Sequence, residues 1–166
     1  MTNRTFLEAR VTIAKACTSD AHVAWEIRRK AILVGCKNVY PDEQLAIWIG
    51  SAMPATFTQF VDEGCYVAKI EGEIIGTVKL DYSNGRVDGL FVEPGFMAQG
   101  IGKKLMLHVD SIAQSIGLKK LWLESTINAA PFYRACGFVG DKIQAYPSRN
   151  KNLRIDCIPM QKILEA

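Results

Sequence analysis

The sequence predicts an α/β fold of the mixed α+β kind, with one central, mostly antiparallel sheet flanked by helices. Three observations predict it. Glu71-Gly72 and Asn84-Gly85 are tight-turn pairs set between strand-like runs. A long helical stripe then separates two further strand-like runs, which implies a crossover. Hairpins combined with a crossover make a mixed sheet.

Each element follows from local chemistry. Val11 to Ala16 alternates and reads as a first strand. Thr18, Ser19 and Asp20 offer N-cap oxygens to a helix carrying Val23, Ile27, Ala31 and Val34 at helical spacing. Pro41 opens a second helix with Leu45, Trp48 and Ile49 near one face. Pro54 interrupts it, Phe57, Phe60 and Val61 continue, and Gly64 ends it. Strands are expected over Cys65–Ile70, Glu73–Tyr82 and Arg86–Val92. A long helix spans Ile101 to Ile116, with Ile101, Leu105, Val109, Ile112 and Ile116 in one stripe. Lys119–Glu124 reads as a strand, Asn128–Cys136 as a short helix, and Gly137-Phe138 as the start of another strand. Leu153–Ile163 is the last strand, expected at an edge because Pro159 lies inside it.

Composition narrows the function. The chain has 166 residues, 49% hydrophobic and 22% charged, which fits one globular domain over 1–166. No apolar run reaches the ~18 residues of a membrane span, and Met1 to Arg10 lacks a secretory apolar region. A cytoplasmic protein with no membrane association is therefore expected. The net charge of +3 is small and scattered, which argues against nucleic acid. Cys17, Cys36, Cys65, Cys136 and Cys157 show no metal or disulfide spacing, so free thiols and no metal are expected.

The chemistry is concentrated between Leu90 and Leu105. A strand ends, small residues follow, and a helix begins. The first N–H groups of a helix are unpaired and carry positive partial charge. Gly100 and Gly102 keep that backbone open, so the loop reads as a phosphate cradle. A Walker loop is excluded because Ile101 stands where lysine is required, and a dinucleotide fingerprint because Leu105 stands where its third glycine belongs.

The pattern Leu90-x-Val92-x-Pro94-x-Phe96-x-x-x-Gly100-x-Gly102-x-x-Leu105 resembles the pyrophosphate motif of the GNAT (Gcn5-related N-acetyltransferase) superfamily. Asn128-Ala-Ala-Pro-Phe-Tyr-Arg-Ala-Cys-Gly-Phe138 resembles its second cofactor motif, in the right order and with one helix and one strand between. The resemblance implies a GNAT-like sheet with a splayed strand pair that binds coenzyme A. It also implies acetyl-CoA as acetyl donor and direct attack by an amine on the thioester. The contacts it implies are Leu90, Phe91 and Val92 on the strand, Met97 to Lys103 in the loop (Met97, Ala98, Gln99, Gly100, Ile101, Gly102, Lys103), and Asn128 and Tyr133 downstream. Tyr133 matches the tyrosine that protonates the leaving thiolate. The family usually has Arg or Gln where Met97 stands and often Gly where Ala98 stands, so weaker cofactor affinity is expected here.

The base stays open among three carboxylates. Asp88 lies two and four residues before Leu90 and Val92, on their face by strand alternation. Glu93 has the opposite parity, and Glu124 is the third candidate. Tyr40, Gln44 and Trp48 resemble a Tyr-x-x-x-Gln-x-x-x-Trp pattern of one bacterial branch of the family, and aromatics there would wall an amine pocket. The acceptor is a small-molecule or protein amine, and the family resemblance allows a homodimer through sheet edges. Two other readings compete with the N-acetyltransferase. One is a non-catalytic acyl-CoA sensor of the same fold, favoured by Met97. The other is a nucleotide-binding regulatory domain resting on the glycines alone.

Overall fold

Turn chemistry and alternation set the sheet. The computed structural model describes Leu7 and residues 10–165. Strands β1 (Thr12–Lys15), β2 (Cys65–Ile70), β3 (Glu73–Leu80) and β4 (Val87–Val92) form an antiparallel sheet in that order. The β2–β3 turn places both Glu71 and Gly72 at positive φ, as a two-residue hairpin requires. Strands β5 (Lys120–Ser125), β6 (Gln144–Ala145) and β7 (Asp156–Ile163) form a second antiparallel group in the order β5-β7-β6. A single parallel bridge, Arg86 to Trp122, joins the two groups.

Helices cover both faces of the first sheet. The faces follow from the register: Cys65 pairs with Lys79 and Val67 with Thr77, whereas Tyr66 pairs with Val78. Cys65 and Val67 pack with Ala21, Ala24 and Val61 beneath helices α1 (Ala21–Gly35) and α3 (Phe57–Gly64). Tyr66, Val78 and Leu80 pack with Leu105, Met106 and Val109 of helix α4 (Ile101–Ser115). Helix α2 (Asp42–Gly50) sits beside α1, and the short helix α5 (Ala130–Ala135) follows β5. None of the helices among the described residues is long and apolar enough to cross a membrane.

The elements expected from sequence are present with shifted details, except that no strand begins at Gly137-Phe138. The buried face of α1 is Ala21, Ala24, Trp25, Ile27, Ala31 and Ile32, while Val23 and Val34 are exposed. In α4, Met106 and Ala113 are buried and Ile116 lies outside, exposed. The segment after Phe138 touches β7 through one bridge, Val139 to Gln161, and β6 forms only at Gln144.

The last strand is not at an edge: β7 lies between β5 and β6. Pro159 is tolerated there because the Gln161 N–H and C=O both bond Val139, so residue 159 turns its backbone to the same side. On that side the neighbouring chain leaves the ladder between Val139 and Gln144. The N–H that proline lacks would have met no partner.

Candidate active site

Strand β4 is the centre of the site, and a bulge shapes it. Phe91 pairs with Thr77 but Asp88 pairs with Lys79, so β4 carries one extra residue across this step. Gly89 takes it up at φ +56, a left-handed conformation that favours glycine. Thr77 Oγ1 donates to Gly89 O at 3.0 Å and pins the bulge. Beyond it, Glu93 N–H bonds Ile75 O at 2.8 Å. Strand alternation therefore turns the Leu90 and Val92 N–H groups away from β3, toward β5. β5 has already diverged after the Arg86–Trp122 bridge. The result is an open cleft of about 610 Å³ between the two strands.

Helix α4 closes one end of this cleft. Gly100 caps the helix at φ +90, and Lys104 N–H is the first to find a backbone acceptor, Gly100 O at 3.0 Å. The N–H groups of Ile101, Gly102 and Lys103 are thus left for a ligand or water. Met97, Ala98, Gly100, Gly102 and Lys103 all line the cleft. Ala98 sits at φ +58, which explains why glycine suits that position. Gly102 has a second role: a Cβ there would meet the Phe132 ring at 3.1 Å, so its absence lets α4 and α5 pack closely.

Two loop residues expected at the site do not line it. Gln99 turns its side chain back to Gly95 O at 3.0 Å, and the Ile101 side chain is 1% exposed within the core. Only their backbone groups face the loop. The Lys104 ammonium donates to Val11 O instead of the cleft.

Leu90, Phe91, Val92, Asn128 and Tyr133 do line the cleft. Asn128 Oδ1 accepts a weak bond from Cys36 Sγ at 3.5 Å, which ties it to the C-terminal cap of α1. The Tyr133 ring lies edge-on to Phe132 and Phe138, at 5.1 and 5.8 Å. Its hydroxyl has no hydrogen-bond partner among the described residues. Burial, and then the negative charge of Asp88, raise the phenol pKa above its usual value, so the group is protonated at neutral pH.

Of the three carboxylates, Asp88 and Glu124 line the large cleft and Glu93 does not. The bulge inverts the parity on which the sequence reading of Asp88 rested. Asp88 shares a face with Phe91, not with Leu90 and Val92, and that face looks toward α1. It still lines the large cleft, and it also lines a second cavity of about 140 Å³ under α1 and α3. Asp88 therefore stands at the junction of the two. Glu93 pairs with Lys30 at 3.1 Å and does not line the cleft. Glu124 is held by Arg86 at 2.7 Å, and Arg86 also lies 3.6 Å from Asp88.

The second cavity is walled by side chains from distant segments: Trp48, Phe57, Phe60, Phe91 and Tyr146, with Arg28 among them. Trp48 is the one member of the Tyr40–Gln44–Trp48 pattern at a cavity wall. Tyr40 is buried, donating to Asp156 O at 2.7 Å and accepting from Ile127 N–H at 3.0 Å, and Gln44 accepts from Arg154 N–H. Trp25 is core, edge-on to Phe57 at 4.9 Å. Sequence reasoning missed Arg28 and Tyr146. Arg28 was findable, because it interrupts the buried stripe Ala24–Arg28–Ile32 at i, i+4 spacing. Tyr146 lies in an irregular segment without a local signal.

Comparison with known proteins identifies the family and the fold. Residues 21–138 match the model of the acetyltransferase (GNAT) family. Glucosamine 6-phosphate N-acetyltransferase of Trypanosoma brucei brucei is 33% identical over 54 residues, covering 32% of this chain and 37% of that protein. Streptothricin acetyltransferase of Streptomyces lavendulae is 37% identical over 75 residues, covering 41% and 40%. The chain thus spans about two fifths of the length of the curated relatives it matches. Among solved structures, a GCN5-related N-acetyltransferase from Rhodopseudomonas palustris superposes with TM-score 0.84 at 22% identity, covering 92% and 95% of the two chains. The PaiA N-acetyltransferase of Thermoplasma acidophilum, solved with coenzyme A, gives 0.69 at 17%, covering 92% and 98%. These structural likenesses establish the shared fold.

Proposed function

The chain belongs to the GNAT acetyltransferase family, and from that premise we propose that it transfers an acetyl group from acetyl-CoA to a primary amine by direct attack on the thioester. The observation that carries this reading is the cleft between β4 and β5, which ends at the open N-terminus of α4 and has Tyr133 in its wall. Backbone N–H groups of residues 101–103 would bind the pyrophosphate. The Leu90 and Val92 edge of β4 would take the amide-bearing arm as an added strand does, and Asn128 offers it a further polar contact. The Val92 N–H would polarise the thioester carbonyl.

The proton steps then fall to side chains. The amine nitrogen bonds to the acyl carbon, the carbon–sulfur bond breaks, and the thiolate takes a proton from the Tyr133 hydroxyl. A phenol is a weaker acid than a thiol, and burial weakens it further. The phenolate is thus short-lived and is reprotonated from solvent. Asp88, at the junction of the cavities, is the group best placed to take the amine proton, directly or through water. A cytoplasmic site of action accords with this chemistry.

Amine-dependent thiol release from acetyl-CoA tests the proposal. Release that rises with an amine and matches the amount of N-acetylated product is expected. Tight coenzyme A binding without amine-dependent release would favour the sensor reading.

A further inference from the structure

Three consecutive residues of α1 are basic, and two have partners. Arg29 donates to Ile49 O at 3.2 Å and pairs with Glu26 at 3.1 Å. Lys30 pairs with Glu93. Arg28 turns inward. Its guanidinium lies 4.5 Å over the Trp25 ring and lines the smaller cavity. Its Nη1 is buried and has no hydrogen-bond partner among the described residues.

A buried cationic donor without an acceptor is costly, and native structures leave few of them. Burial lowers the guanidinium pKa, opposed through space by Tyr146 and then by Asp88, with which Arg28 forms no ion pair. Arginine remains charged regardless. The cavity therefore presents a positive, planar donor at the Arg28 wall and a carboxylate at the junction with the large cleft. The other walls are mostly aromatic or aliphatic.

We propose that the acceptor is an amino carboxylate, whose carboxylate closes on Arg28 while its amine passes Asp88 into the acyl-donor cleft. This rests on the acyl-transfer reading and adds the acceptor's chemical class. A carboxylate matches the fork of one guanidinium. A phosphate dianion would leave acceptor oxygens facing Phe57, Phe60 and Phe91.

The test is binding without acetyl-CoA. Butyrate and 3-phenylpropionate, their neutral amides, and inorganic phosphate are titrated into the wild type, Arg28→Gln and Arg28→Lys by calorimetry. The carboxylates are expected to bind the wild type about tenfold more tightly than the amides. That preference should vanish in Arg28→Gln and persist in part in Arg28→Lys. Carboxylates and amides that bind the wild type alike, a preference that survives in Arg28→Gln, or phosphate binding more tightly than the carboxylates would each overturn the proposal. Should Arg28→Gln not fold, the wild-type ratio and Arg28→Lys decide alone. Acetyl-CoA is titrated into the same samples. Its binding without a carboxylate preference removes only the acceptor class, and a preference without its binding removes the acyl-transfer reading instead.

Discussion

The two cavities that meet at Asp88 are built from different material. The larger one adds backbone groups to its side-chain walls: a bulged strand, a splayed neighbour and the open end of α4. The smaller one is made of side chains from α1, α2, α3, β4 and the segment around Tyr146. Backbone donors stay when a side chain changes, so the first cavity should bind its ligand despite Met97, where the family resemblance implies Arg or Gln. Side-chain walls change with each substitution, so on the proposed reading the second cavity is where acceptor choice would be set. The two halves should respond to mutation in different measurements.

The largest effect is expected from Tyr133→Phe, in the acyl-donor half. The ground-state thioester accepts hydrogen bonds poorly, whereas the departing thiolate needs a proton. kcat and kcat/KM should fall together by about a hundredfold, with acetyl-CoA affinity nearly unchanged by calorimetry. A mutant as fast as the wild type, with chemistry rate-limiting, would make Tyr133 structural. Asp88→Asn comes next, with a loss of roughly tenfold near neutral pH and an activity profile displaced toward alkaline pH. An unchanged profile would remove Asp88 from the proton path and sever the link between the halves.

Gly102→Val should show both consequences of a side chain at that position. Crowding against Phe132 should cost about 1–3 kcal/mol in denaturant melts. Obstruction of the α4 terminus should weaken coenzyme A by roughly tenfold. Unchanged affinity in the folded mutant would mean the cradle lies elsewhere.

Cys36 tests the packing of the end of α1 against the larger cleft through pH. Its thiol is buried and its pKa is raised from 9.0 to about 11 by desolvation, against a lesser effect of the bond to Asn128. The unfolded chain ionises first, so this contribution to stability is complete below pH 9 and is lost as pH rises toward 11. The melting temperature of the wild type should fall more steeply across that window than that of Cys36→Ala. The smallest effect belongs to Ala98→Gly. Relief of the left-handed alanine is partly offset by glycine's greater freedom in the unfolded chain, so stability should rise by less than about 1 kcal/mol.

The same contrast explains what the sequence revealed. A backbone site needs glycines and a strand–loop–helix order, and those are local. Gly100, Gly102, Asn128 and Tyr133 could be read directly, as could the hairpins that present β4. The facing of Asp88 could not. One bulge residue at Gly89 inverts strand parity, and strict alternation gives no warning of it. Pro159 misled for a related reason, because the break in pairing beside it depends on where residues 140–143 leave the ladder. The smaller cavity was least legible, since its walls lie from Ala16 to Tyr146 in the chain. Trp48 left a trace there in the aromatic pattern of the second helix, and Arg28 left one as a charge inside an apolar stripe.

The central claim is that coenzyme A is held by the backbone of β4 and of the α4 terminus. Backbone amide NMR during a coenzyme A titration tests it most directly. The account predicts that the largest perturbations fall on the amides of Leu90, Val92 and residues 100–103, with α1 and α3 little affected. Saturable perturbations confined to α1, α2 and α3, or none at saturating coenzyme A, would contradict it.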